Sequence, residues 1–157
     1  MRRALLALVA LVILGAGVAV ATPIPVLRLA DEHREILAQL ADGEALEYSY
    51  EQSIYLVRVF EEFERSGDRL DLLRVRSSDI RAVEYYRWDG VIRPEEGLFV
   101  QDAQPSEVAE LVIRITPGRG QTFRTPRWTR GLESAFGDGV VSVRAERRSL
   151  LETLLWR

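Results

Sequence analysis

Short strand candidates at intervals of about ten residues, broken by turn clusters, are what most limit the folds open to this chain. Arg65-Ser66-Gly67-Asp68, Pro94-Glu95-Glu96-Gly97, Pro117-Gly118-Arg119-Gly120 and Gly137-Asp138-Gly139 each break the sequence with residues suited to tight turns. The runs between them are short, and several alternate apolar with polar side chains. Leu46, Tyr48 and Tyr50 interleave with Glu47, Ser49 and Glu51, the period of a half-buried strand. Residues 26–30 and 35–40, separated by Asp31-Glu32-His33-Arg34, predict a first hairpin. Residues 55–64 and 69–76 predict another around Gly67, with Leu70, Leu72 and Arg74 on one face and Asp71, Leu73 and Val75 on the other. Residues 98–101, 110–116, 121–125 and 140–145 supply the remaining strand candidates, with Gly118-Arg119-Gly120 read as a hairpin turn.

Helix is scarce. Trp128, Leu132, Ala135 and Phe136 fall on one face of a predicted helix over 128–136. Residues 149–156 open with Ser149 and Glu152 spaced as a capping box and gather Leu150, Leu151, Leu154 and Leu155. Residues 80–88 fit either a short helix or a bent strand. About eight short strands without strand–helix alternation predict an all-β fold: a single antiparallel sandwich or partly open barrel with one or two short helices.

Ahead of this domain lies an uninterrupted apolar run, residues 4–21, behind Arg2 and Arg3. The pattern is that of an export segment, and it predicts an N-terminal hydrophobic helix with its positive end in the cytoplasm. Eighteen helical residues span about 27 Å at ~1.5 Å each, close to the ~30 Å hydrocarbon core. Ala19-Val20-Ala21 has the small-x-small pattern of a signal-peptide cleavage site, while Pro23 and residues 24–27 suit a retained anchor. Residues 1–21 are therefore expected to be a signal peptide or membrane anchor, and 22–157 one exported domain on the periplasmic or cell-surface side.

Removing Arg2 and Arg3 takes the net charge from −3 to −5, which gives no basis for nucleic acid as a partner. The chain has no cysteine, so disulfides, thiolate metal sites and cysteine nucleophiles are excluded. It also has no lysine and no asparagine; Schiff-base chemistry and N-glycosylation go with them. The lone histidine, His33, sits in a charged turn, and the sequence carries no G-x-S-x-G, G-x-G-x-x-G or Walker loop. No cofactor and no metal are expected, and no catalytic residue is assigned.

The segment from Tyr50 to Phe63 stands out. A polar knot, Glu51-Gln52-Ser53, leads into Tyr55, Val57 and Val59 on one strand face, and Glu61 continues that face where a core would want an apolar residue. Such a carboxylate is expected at a strand end, in water, or paired with Arg74 or Arg76 on the next strand. Gln52, Ser53, Tyr55 and Glu61 are the candidate interaction or ligand-orienting residues.

This segment resembles a small prokaryotic family catalogued as domain of unknown function eighteen-fifty, whose members read His-Ser-Val-x-Leu-Thr-Pro-Val-x-Glu-x-Phe here. Ser53, Leu56, Val59, Glu61 and Phe63 match, and Ile54 stands for valine. Gln52 replaces the histidine and Val57-Arg58 the Thr-Pro. The resemblance implies a small exported companion of TAXI-type TRAP transporters, with a transporter membrane subunit or substrate-binding protein as its partner. It brings no enzymatic activity, and losing the histidine lowers that reading further. The expectation is an extracytoplasmic accessory or interaction module, with 150–157 as a second docking surface or a closure of the core. A stand-alone small-ligand-binding domain, lined by residues such as Tyr48, Tyr50, Tyr55, Tyr85, Tyr86 and Trp88, is the alternative. A carboxylate-dependent hydrolase built on Glu61 with an orienting arginine is the third.

Overall fold

The computed structural model describes residues 22–104 and 106–155. The leader, residues 1–21, and the cleavage question at Ala19-Val20-Ala21 lie outside them. Among the described residues no helix is long and apolar enough to cross a membrane.

The fold is mostly β, with antiparallel sheets. Twelve strands form among the described residues: β1 (Pro23–Ala30), β2 (Glu35–Gln39), β3 (Ala45–Glu51), β4 (Arg58–Ser66), β5 (Arg69–Ser77), β6 (Arg93–Glu95), β7 (Leu98–Asp102), β8 (Glu107–Val108), β9 (Leu111–Ile115), β10 (Thr122–Arg124), β11 (Thr129–Gly131) and β12 (Gly139–Ser149). Three short helices join them: α1 (Ile80–Glu84), α2 (Leu132–Phe136) and α3 (Leu150–Leu155). The first sheet runs β2-β1-β12-β9; the second runs β11-β10-β3-β4-β5-β7-β6, with β8 also on β5.

The inner faces of the sheets meet in one apolar cluster. Leu27 and Leu29 of β1, Ile113 and Ile115 of β9 and Val141 and Val143 of β12 meet Leu46, Tyr48, Phe63 and Phe123 from the other sheet. A second, smaller cluster places Ala82 and Val83 of α1 on Val59 and Val75. Asp79 caps α1 by accepting from the Arg81 N–H at 2.9 Å, which ends β5 cleanly and starts the helix.

Arg65 ties the sheets together. Its side chain is fully buried and donates to the carbonyls of Gly67 (2.8 Å), Leu40 (2.7 Å), Val26 (3.2 Å) and Glu146 (2.8 Å). Asp42 lies 3.2 Å from Nε and supplies a counter-charge. Placing Arg65 in the turn cluster is thus corrected: β4 runs on to Ser66, and the turn is only Gly67-Asp68.

Other elements also depart from the sequence pattern. The Pro117–Gly120 turn does not join a hairpin; β9 pairs with β12, whereas β10 pairs with β3 and β11, so the turn carries the chain from one sheet to the other. The helix predicted from Trp128 begins only at Leu132, because residues 129–131 pair with β10. On β5 the alternation changes phase at a bulge: Glu62 faces Arg74 and Phe63 faces Leu72, leaving Leu73 as the extra residue. Leu70 and Val75 therefore share the buried side, and Leu73 and Arg74 turn outward.

Candidate functional site

Three tyrosines, Tyr48, Tyr50 and Tyr86, and one glutamate, Glu61, gather where the two clusters meet. Glu61 pairs across β3–β4 with Tyr48 and across β4–β5 with Val75, so it lies on the inner face between Val59 and Phe63. The Tyr86 hydroxyl donates to Glu61 Oε1 at 2.5 Å and that of Tyr50 at 3.4 Å; the two hydroxyls are 2.9 Å apart. Helix α1 delivers Tyr86 to this point and leaves the neighbouring Tyr85 in solvent. Trp88 packs tilted on Tyr86, and Tyr48 stacks on Tyr50.

Among the described residues no arginine hydrogen-bonds or ion-pairs with Glu61, which corrects the pairing with Arg74 or Arg76 that was one of its expected placements. Arg74 and Arg76 lie on the opposite face, where both bind Glu62 at 2.5 Å and Arg76 also binds Glu47 at 2.9 Å. Strand alternation forces this, since Arg74 and Arg76 flank Val75. The hydrolase expectation, which needed an arginine beside Glu61, has tyrosine hydroxyls there instead.

Desolvation pushes the Glu61 carboxyl above its ordinary value, and the two hydroxyl donors only partly oppose the shift. Burial, with the nearby Glu61 charge, pushes the Tyr50 phenol up to about 12, and Tyr86 is driven higher by the same causes. Neither tyrosine ionises near neutral pH, so both stay donors.

Two hollows open here and share Tyr50 and Gln121 as walls. One, of about 340 Å³, is bounded by Tyr48, Tyr50 and Glu61 below and residues 111–114 of β9 beside them. The other, of about 250 Å³, is lined by Tyr50, Gln52, Ser53, Tyr85, Arg119 and Gln121, among others. Gln121 holds the join, donating to the Tyr48 hydroxyl (2.9 Å) and the Arg114 carbonyl (3.0 Å) and accepting from the Thr116 N–H (2.7 Å).

The predicted residues Gln52 and Ser53 border the second hollow, and Glu61 borders the first. Gln52 is 6 % exposed, and its Oε1 is buried without a hydrogen-bond partner. Its main chain closes the turn after β3, accepting from Leu56 and donating to Val57, each at 2.9 Å. Ser53 is exposed on that turn. Tyr55 points elsewhere, packing on the smaller cluster with the Arg81 guanidinium 4.9 Å above its ring. Leu56 adopts φ 54°, a left-handed conformation that costs a branched residue about 1–2 kcal/mol. It is 63 % exposed on this turn; Ile54, 57 % exposed, and Tyr85, 55 % exposed, add apolar surface to the otherwise polar lining of the second hollow.

Arg119, Thr116 and Gln121 were not singled out from sequence. Their placement depends on the sheet-crossing turn: Glu51 N–H donates to the Arg119 carbonyl at 2.9 Å, and the Arg119 guanidinium meets Glu51 at 2.5 Å. Gly120, at φ 58°, lets the Arg58 guanidinium approach so closely that a Cβ there would stand 3.0 Å from it. The Gly-Arg-Gly spacing carried that signal, since two left-handed glycines around an arginine mark a loop packed against something.

Among the described residues no group of three or more potential ligands is placed to hold a metal ion. No protein-family model matches the chain, and no curated protein or solved structure is significantly similar to it.

Proposed function

We propose that this chain is an extracytoplasmic interaction module built on a two-sheet β-sandwich, and that it grips its partner at the cleft bordered by Gln52, Tyr50, Glu61 and Gln121. The carrying observation is the Leu56 turn. A leucine held in a left-handed conformation with its side chain in water gains nothing for the fold, and the same turn exposes Ile54 beside it. The apolar run of residues 4–21 supports an address outside the cytoplasm, either as a free periplasmic domain or one held at the membrane. The likeness of the Gln52–Phe63 segment to the companion family makes a TAXI-type transporter subunit or its binding protein the first partner to test.

Co-purification of the full chain with those transporter subunits in mild detergent tests the reading. The wild-type chain is expected to bring a subunit with it and Leu56→Asp to lose it while remaining folded. A clean monomer from the wild-type chain contradicts the proposal.

A second reading, a stand-alone binder of a small polar ligand, draws on the orphaned Gln52 Oε1 beside a 250 Å³ hollow. Thermal-shift screening with carboxylic acids and other small polar solutes separates the two, since only the second predicts a stabiliser in the absence of any protein partner.

A further inference from the structure

β9 ends its sheet, pairing only with β12, and its other edge faces the cleft. Gln121 shows which groups point that way. It bonds the Arg114 carbonyl and the Thr116 N–H, and successive residues of a strand alternate the side to which their main-chain groups turn. By that alternation the N–H and C=O of Val112 also face the cleft. The Gln121 amide already occupies one position along this edge much as a neighbouring peptide unit would.

Below that edge lies Glu61. Both tyrosine hydroxyls go to Oε1, and among the described residues no donor meets Oε2. The carboxyl thus presents one fixed and one open oxygen, among the rings of Tyr48 and Tyr50. Aromatic faces around an acidic group suit an ammonium or guanidinium ion, which the acid attracts by charge and the rings by their quadrupoles. The groups facing Glu61 are Tyr48 and Tyr50 from β3, Tyr86 from beyond α1 and Val75 from β5, with Arg114 of β9 at the cleft wall.

We propose that an extended, basic peptide segment of a partner protein adds to the free edge of β9 at Val112 and turns a lysine or arginine side chain inward to Glu61 Oε2. Strand addition supplies main-chain hydrogen bonds, and alternate side chains of the added strand enter the space between the sheets where Glu61 lies. The chain itself contains no lysine, so a lysine-bearing segment comes from a different protein. This inference rests on the contact reading above and names the partner's chemistry. Binding strengthens as pH rises through the Glu61 titration, because the cation needs the ionised carboxylate and protons compete with it.

The test uses the full chain in mild detergent and fluorescein-labelled, amidated pentapeptide mixtures with lysine or norleucine fixed at the centre and flanks randomised. Anisotropy is expected to show the lysine mixture binding about tenfold or more tightly than the norleucine one. Glu61→Gln, which keeps an acceptor for the tyrosine hydroxyls, is expected to erase that difference. Hydrogen exchange in residues 111–115 is expected to slow when the lysine mixture binds. Equal binding of the two mixtures, no binding, or binding without protection of β9 overturns the proposal. Competition by n-butylammonium as strong as by the peptide also overturns it, in favour of a small amine ligand. Failure here together with successful co-purification would leave the contact reading standing; failure of both removes both.

Discussion

Glu61 shows how one position can follow the strand pattern and break its usual meaning. It falls on the buried face as alternation requires, yet it carries a carboxyl, and Arg74 and Arg76 of the neighbouring strand are on the other side of the sheet. Its pH dependence follows. The folded carboxyl is raised above its ordinary value of 4.5, so the native state holds the proton more tightly than the unfolded chain does. The stability this contributes is full below about 4.5 and is lost as pH rises through the folded pKa. Glu61→Gln is therefore expected to flatten that loss and leave the protein more stable than wild type at pH 8, as urea denaturation across pH would read. Tyr86→Phe removes a donor to the carboxylate and is expected to push the Glu61 midpoint higher still, measurable by carboxyl-carbon NMR titration. Arg65 is the counterpart among cations. Replacing it with methionine leaves carbonyls from β1, β12 and the loop after β2 without their donor, at about 1–3 kcal/mol each. A loss of about 3 kcal/mol or more is expected in chemical denaturation.

At the scale of elements, much of the fold was legible because local rules agreed with one another. The β1–β2 hairpin, the alternation of β3 and the start of α3 all appear where the pattern put them. Ser149 and Glu152 do form the capping box, with Ser149 N–H donating to Glu152 at 2.9 Å and Glu152 N–H to Ser149 Oγ at 3.2 Å. What was not legible depended on which strand a segment met in space. The Leu73 bulge shifts the phase of β5, and nothing within residues 69–77 marks it. Pro117–Gly120 has the composition of a hairpin turn, but Ile113 and Ile115 are drawn to one sheet and Phe123 to the other. Trp128 fits a helical face, yet Thr125 N–H bonds its carbonyl and Trp128 Nε1 bonds the Gln39 carbonyl, each near 2.9 Å. In the site, Gln52, Ser53 and Glu61 were found from the segment itself, whereas Gln121 and Arg119 come from about 60 residues further on and needed the fold. The turn after β3 carries its own prediction. Leu56→Gly relieves the left-handed strain and is expected to leave stability unchanged or raise it by up to about 1 kcal/mol by thermal or urea unfolding, while partner capture falls.

Taken whole, the molecule uses two sheets to enclose one core and leaves a polar, aromatic cleft where the free edge of β9 overlooks β3 and β4. Ile54 and Tyr85 put exposed apolar surface on one of its hollows, and Glu61, a desolvated acid, borders the other. A contact function requires that the exposed turn at Ile54 and Leu56, with Tyr85, meet a partner in the cell. A photoreactive amino acid placed at Leu56 or Tyr85, with Val140 on β12 as a reference exposed position, tests this in intact cells. A discrete cross-linked protein is expected from positions 56 and 85 and little from 140. Equal cross-linking from all three, or none from positions 56 and 85, would contradict a contact function.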